Sequence, residues 1–167
     1  MSNDITITVS GLNECLADYK KFRMDMSENM FVPLDDSATT YLKTISTNFN
    51  NQGKTFGEPW PPLSPATIAD KKRLVLKGRA ISATRPLVRT GKLKTGFGRV
   101  VNRNNEAYIY NAQSYALIHN EGGSTSYKGR TVTIPKRVLA EVDNERINIV
   151  ADIFSKWFDM IVKKNTL

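Results

Sequence analysis

One histidine and one cysteine hold most of the ordinary catalytic or metal chemistry available to this chain. His119, followed by Asn120-Glu121, has the side chain of a general base. A hydrolytic centre also needs a nucleophile and a group that orients the base. No serine stands in a nucleophile-elbow pattern, and no second histidine or spaced carboxylate pair completes a set. His119 therefore reads as a packing or capping group at the end of a short helix, and no enzymatic activity is expected. Cys15 has no partner for an intrachain disulfide, and one cysteine with one histidine falls short of a zinc cluster. The carboxylates do not cluster, so neither a metal nor another cofactor is expected. Gly78, Gly91, Gly96 and Gly98 form no GxGxxG or P-loop pattern, which removes nucleotide binding.

The cations have a stronger claim. Between Lys71 and Arg103 there are eleven Lys/Arg and no Asp or Glu, while the rest of the chain has thirteen basic and sixteen acidic residues. Such a tract repels itself at low ionic strength. Phosphates, an acidic neighbouring subunit, or solvent and salt offset that repulsion, and charge alone does not choose among them. Lys71, Lys72, Arg73, Lys77, Arg79, Arg85, Arg89, Lys92 and Lys94 are the candidate contacts to DNA or to an acidic partner. Aromatic residues are sparse there, Phe97 excepted, which disfavours base stacking on single strands.

These residues need a frame. The 167-residue length fits one domain, with long loops at about 50–64, 75–96 and 121–131. A composition 40% hydrophobic and 24% charged reads as globular. No apolar run approaches the ~20 residues of a membrane span, and Met1-Ser2-Asn3-Asp4 lacks a signal-peptide pattern, so assembly in a cytoplasm without membrane contact is expected.

Asp4 to Ser10 alternates apolar and polar residues, a strand with one buried face. Leu12, Leu16, Tyr19, Phe22, Met26 and Met30 form the apolar stripe of a helix from Asn13 to about Met30, ended by Pro33. Ala38, Leu42, Ile45 and Phe49 mark a second helix over about 37–50, capped by Asp35, Asp36 or Ser37. Both stripes are expected in the core. Ser64-Pro65 starts a short helix to about Leu74. The basic segment 75–96 is expected to protrude as a long loop with a turn at Thr90–Leu93. Phe97–Asn102 and Ala107–Asn111 predict a hairpin, Ser114–His119 a helical turn, Ser124–Arg130 an exposed loop and Thr131–Ile134 a strand. Asp143 caps a last helix over about 144–163. The order implies an α+β class: a small, mostly antiparallel sheet with N-terminal helices and a long C-terminal helix packed on it. Trp60, in its Pro-rich loop, is either a partner anchor or a lid over the domain's own core.

Four segments together resemble one family. Gly57 to Thr67 reads G-x-x-W-x-P-L-S-x-x-T, and Pro86 to Leu93 reads P-L-x-x-T-G-x-L. Tyr115 to Gly122 reads Y-A-x-I-H-x-x-G, and Ile134 to Arg137 reads I-P-x-R. In this order they resemble the virion-morphogenesis or tail-completion proteins of tailed bacteriophages. After Arg137 that family often continues Pro-Phe-Leu-Gly, whereas this chain has Val138-Leu139-Ala140-Glu141.

The resemblance implies a non-enzymatic structural protein at the head–tail junction of the virion, completing or terminating the tail. It also implies a homo-oligomeric ring, most often a hexamer, around the channel through which genomic DNA passes. Tail tube, sheath or neck proteins would be its neighbours. Phe56, Trp60, Leu63, Pro86, Leu87, Thr90, Gly91 and Leu93 are then the expected subunit or partner interface. The competing reading is a free, sequence-independent DNA-binding protein using the 71–103 tract.

Overall fold

A computed structural model describes residues 12–102, 105–127 and 129–165. The strand predicted over Asp4–Ser10 lies outside the described residues. The class is α+β, as the element order implied.

Helices α1 (Leu12–Glu28) and α2 (Phe31–Asn51) open the described chain. Pro33 does not break α2; it lies inside its first turn, where the missing N–H has no intrahelical partner to lose. The second helix thus begins six residues before the expected 37, and Ser37 donates its hydroxyl to the Pro33 carbonyl at 2.6 Å instead of capping. The stripe of α1 is only partly core. Phe22 packs edge-on to Phe158, but Leu16 is 46% and Tyr19 61% exposed.

The core forms where α2 meets three irregular segments. Ile45 and Phe49 of α2 pack with Phe56, Trp60, Val88, Leu93 and Leu139. The Phe49 ring is edge-on to Trp60 at 5.1 Å and to Phe97 at 6.1 Å. Such edge-to-face contacts add to the burial of large apolar area. Asn48, fully buried, donates its Nδ2 to the Val138 carbonyl at 2.9 Å.

Helix α3 (Pro65–Leu76) starts as the sequence predicts, with the Ser64 hydroxyl accepting from Thr67 N–H. A short α4 (Lys92–Thr95) follows the basic loop and leads into β1 (Phe97–Val101) and β2 (Ala107–Asn111), paired antiparallel from Phe97↔Asn111 to Val101↔Ala107. Next comes α5 (Ala116–Glu121).

Ser124–Arg130, expected as loop, is instead most of a second hairpin: β3 (Gly123–Tyr127) pairs with β4 (Arg130–Ile134). Its polar and β-branched side chains, Ser124, Thr125, Thr131 and Thr133 among them, are exposed on both faces, so no alternation marked β3. The expected single sheet is therefore two separate two-stranded sheets. Helix α6 (Asn144–Asn165) closes the fold, its first turn held by Asp143 accepting from Arg146 N–H. It packs on both α1 and α2.

Candidate functional site

The four segments singled out in the sequence converge on one cavity of 680 Å³. Leu63 and Thr67 line it from the first, Leu87 and Leu93 from the second, Tyr115 and His119 from the third and Arg137 from the fourth. Each segment is held by specific bonds. Arg137, 6% exposed, donates its Nε and a terminal nitrogen to the Pro61 carbonyl at 3.1 and 2.9 Å, tying the fourth segment to the first. Its N–H donates to the His119 carbonyl at 2.8 Å, tying fourth to third. Gly122 has φ 76°, and a Cβ there would lie 2.9 Å from the backbone nitrogen of Lys136, so only glycine admits this approach. Asn120 Oδ1 accepts from Leu139 N–H at 2.8 Å, placing the chain after Arg137. Val138, Leu139 and Ala140 are held in this network through backbone C=O and N–H groups, and the Leu139 side chain enters the core.

The second segment is a folded loop and does not protrude throughout. Pro86 and Val88 are buried, and Ile81 N–H donates to the Arg89 carbonyl at 2.6 Å, closing the base of the loop. Long basic composition hid these short apolar anchors.

The cations of the tract separate into two groups. Lys71 is 5% exposed, its Nζ donating to the Arg85 carbonyl at 2.6 Å. Arg85 in turn donates to the carbonyls of Phe49 and Asn50 at 2.9 and 3.1 Å, satisfying free C=O groups at the end of α2. Lys94 donates to Asn50 Oδ1 at 2.8 Å. Arg73 pairs with Asp70 at 2.8 Å, and Arg99 makes a two-pronged pair with Asp35 at 2.7 and 3.0 Å. The Arg99 guanidinium holds Asp35 below its ordinary pKa and is itself raised. By contrast Lys72, Lys77, Arg79, Arg89 and Lys92 are exposed and have no carboxylate partner among the described residues.

The expected interface set divides too. Phe56, Trp60, Pro86 and Leu93 are buried in the subunit itself, so their apolar area is spent on its own core. Trp60 is the core lid, with its Nε1 donating to the Val138 carbonyl at 2.9 Å. Leu63, Leu87 and Gly91 are half-buried around the cavity, and Thr90 is exposed at its edge.

A second concave surface was not legible in the sequence. An apolar groove of 630 Å³ runs between α2, α6 and the β1–β2 hairpin, with Leu34, Ala38, Tyr41, Ile109, Val150 and Phe154 in its wall. Val142, 72% exposed, and Ile147, 52% exposed, stand at the same surface. Ile147, Val150 and Phe154 recur at helical spacing along α6, and period alone does not say which of its turns go uncovered.

His119 is half-buried, its ring edge-on to Tyr115 at 6.0 Å and its buried Nδ1 without a hydrogen-bond partner. Burial, then the neighbouring Arg137 charge, push its pKa down. Both effects favour the neutral imidazole. No group of three or more His, Cys, Asp or Glu that could hold a metal occurs among the described residues. No helix among them is long and apolar enough to cross a membrane.

Compared with known proteins, residues 21–159 match the phage virion morphogenesis family. This match takes in all four cavity-lining segments, the whole of α2, most of α6 and the second half of α1. No curated protein and no solved structure matches the chain.

Proposed function

The chain belongs to the phage virion morphogenesis family, and from that premise we propose that it is a non-enzymatic structural component that completes or terminates the tail at its junction with the head or neck. Its working form is a ring, most simply a hexamer, around the channel for genomic DNA, with tail tube, sheath or neck proteins above and below. The observation that carries the ring is the apolar groove between α2, α6 and the first hairpin, left open in the isolated subunit. Contiguous apolar surface of this kind marks an interaction site in a soluble protein. The hairpin β3–β4 supports the same reading, because a two-stranded hairpin exposed on both faces is marginal by itself in water. A neighbouring subunit covering either surface supplies the missing burial.

Lys72, Lys77, Arg79, Arg89 and Lys92, exposed and without a carboxylate partner among the described residues, are the part of the tract available to DNA in the lumen or to an acidic neighbour. Light scattering on the purified protein, joined to a map of the assembled particle, tests the proposal. A ring at the head–tail junction is the expected result. A persistent monomer, with no ring of this chain in the virion, overturns it.

A further inference from the structure

We infer that the cavity shared by the four segments is a docking pocket for a protein segment that presents a carboxylate beside apolar residues. This rests on reading the chain as an assembly component. The argument begins with two buried cations. Lys71 and Arg137 both line the cavity, at 5% and 6% exposure, and among the described residues their side chains donate to backbone carbonyls alone. Neither has a carboxylate partner among the described residues. A buried charge costs a great deal unless it is paired. Arg79, Arg89 and Lys92 stand in the same wall and bring no counter-charge. Arg89 sits near enough to Lys71 to depress its pKa further after burial has done so, and Arg137 acts likewise on His119. Among the described residues Asp70 is the one acid in the wall, and Arg73 already pairs with it.

The shape of the cavity selects the class of anion. Duplex DNA presents phosphates on a stiff convex rod, which meets exposed cations and does not reach one buried to 5%. Leu63, Leu74, Leu87 and Leu93 line the same cavity, and a phosphodiester gains nothing from them. A glutamate or aspartate side chain can enter where a duplex cannot. Apolar residues on either side of it would cover the leucines, while the carboxylate pairs with the cations. The hydroxyls of Thr67, Thr90 and Tyr115 line the same cavity and complete the polar complement for a backbone N–H or carboxylate oxygen.

The test uses the full chain and a fluorescein-labelled peptide, Gly-Leu-Glu-Leu-Glu-Gly, followed by fluorescence anisotropy, with the Gly-Leu-Gln-Leu-Gln-Gly twin as control. Saturable binding of the glutamate peptide is expected, with the glutamine twin at least about tenfold weaker, the size of a lost charge-assisted bond. The double variant Arg89→Gln/Lys92→Gln should lose about tenfold as well. Both residues are exposed, so the fold should survive, and circular dichroism checks that it has. The variant Lys43→Gln/Lys54→Gln removes the same charge at exposed positions outside the cavity and outside the basic tract, and should bind as the parent does. Equal binding of the two peptides, equal loss in the two variants, or displacement of the peptide by a short DNA duplex overturns the inference. Assembly is read separately by light scattering. A protein that binds the peptide but forms no ring keeps the pocket and rejects the ring, whereas a ring-former that ignores the peptide rejects only the pocket.

Discussion

Trp60 donates its indole N–H to the carbonyl of Val138 at 2.9 Å, and the two residues lie 78 positions apart in the chain. Asn48 Nδ2 reaches the same carbonyl at 2.9 Å, so α2, the Pro-rich loop and the segment after β4 are pinned at one oxygen. Trp60→Phe keeps most of the apolar volume but removes one of the two bonds, and should cost ~1–2 kcal/mol in urea unfolding. Asn48→Leu should cost at least as much, because Trp60 alone then holds Val138 in place. Combining the two should exceed the sum of their separate effects, since both act on one acceptor. Strict additivity would show that the shared carbonyl does not couple them.

The turn beneath Trp60 is built on two glycines. Gly53 has φ 104° with ψ −18° and Gly57 φ 110° with ψ −112°, so alanine is strained at both, and through the backbone more at Gly57, whose dihedrals mirror the β region. A Cβ at Gly53 would lie 2.8 Å from the Trp60 backbone nitrogen, whereas one at Gly57 meets nothing within 4 Å. Gly57→Ala should therefore cost only the backbone strain of ~1–3 kcal/mol. Gly53→Ala carries the lesser backbone strain but displaces Trp60 from the core, so it should still be the costlier of the two in the same thermal melts. Equal losses would mean that close packing under Trp60 contributes little.

Legibility followed burial on a regular period. Helix α6 and the first hairpin were readable because apolar spacing and turn residues agreed, and Asp143 caps as its type suggests. Helix α2 was misjudged at its start because Pro33 reads as a breaker until its position in the first turn is known. The β3 strand was missed since neither face of its hairpin is buried, which leaves the hydrophobic alternation of a half-buried strand nothing to record. The cavity was half visible. Its four segments stood out by residue type, yet nothing in the sequence told that Lys71 and Arg137 turn inward while Lys72 and Lys77 face solvent. Pairings across 76 residues, such as Arg137 with Pro61, arise only from the tertiary fold.

The two arginines of the loop should behave differently on truncation. Arg85 holds two carbonyls at the end of α2, while Arg89 is exposed with no carboxylate partner among the described residues. Arg85→Ala should lose ~1 kcal/mol of stability, the low end for a charged donor because the residue is itself exposed. Arg89→Ala should stay within ~0.5 kcal/mol. In DNA binding the order reverses: Arg89→Ala should flatten the dependence of log affinity on log salt by about one phosphate contact if this face meets DNA, and Arg85→Ala should leave the slope alone. Loss of stability in Arg89→Ala, with Arg85→Ala unaffected, would contradict these placements.

Acid should weaken the fold through His119. Its folded pKa lies below the ordinary value of about 6.5, first because it is buried and then because Arg137 is near. The unfolded chain then binds the proton more readily than the folded one. The contribution is fully present above about pH 6.5 and is lost as pH falls through the depressed folded value. Asp35 has the same sign, but its window lies below the ordinary carboxylate pKa, so the two separate on the pH axis. His119→Gln removes the titration and keeps a polar group at the site. Its melting temperature should therefore fall less than the parent's between about pH 7 and pH 5. The two should fall alike at lower pH, where carboxylates titrate. Parallel curves through the upper window would show that His119 does not titrate from a buried, neutral state.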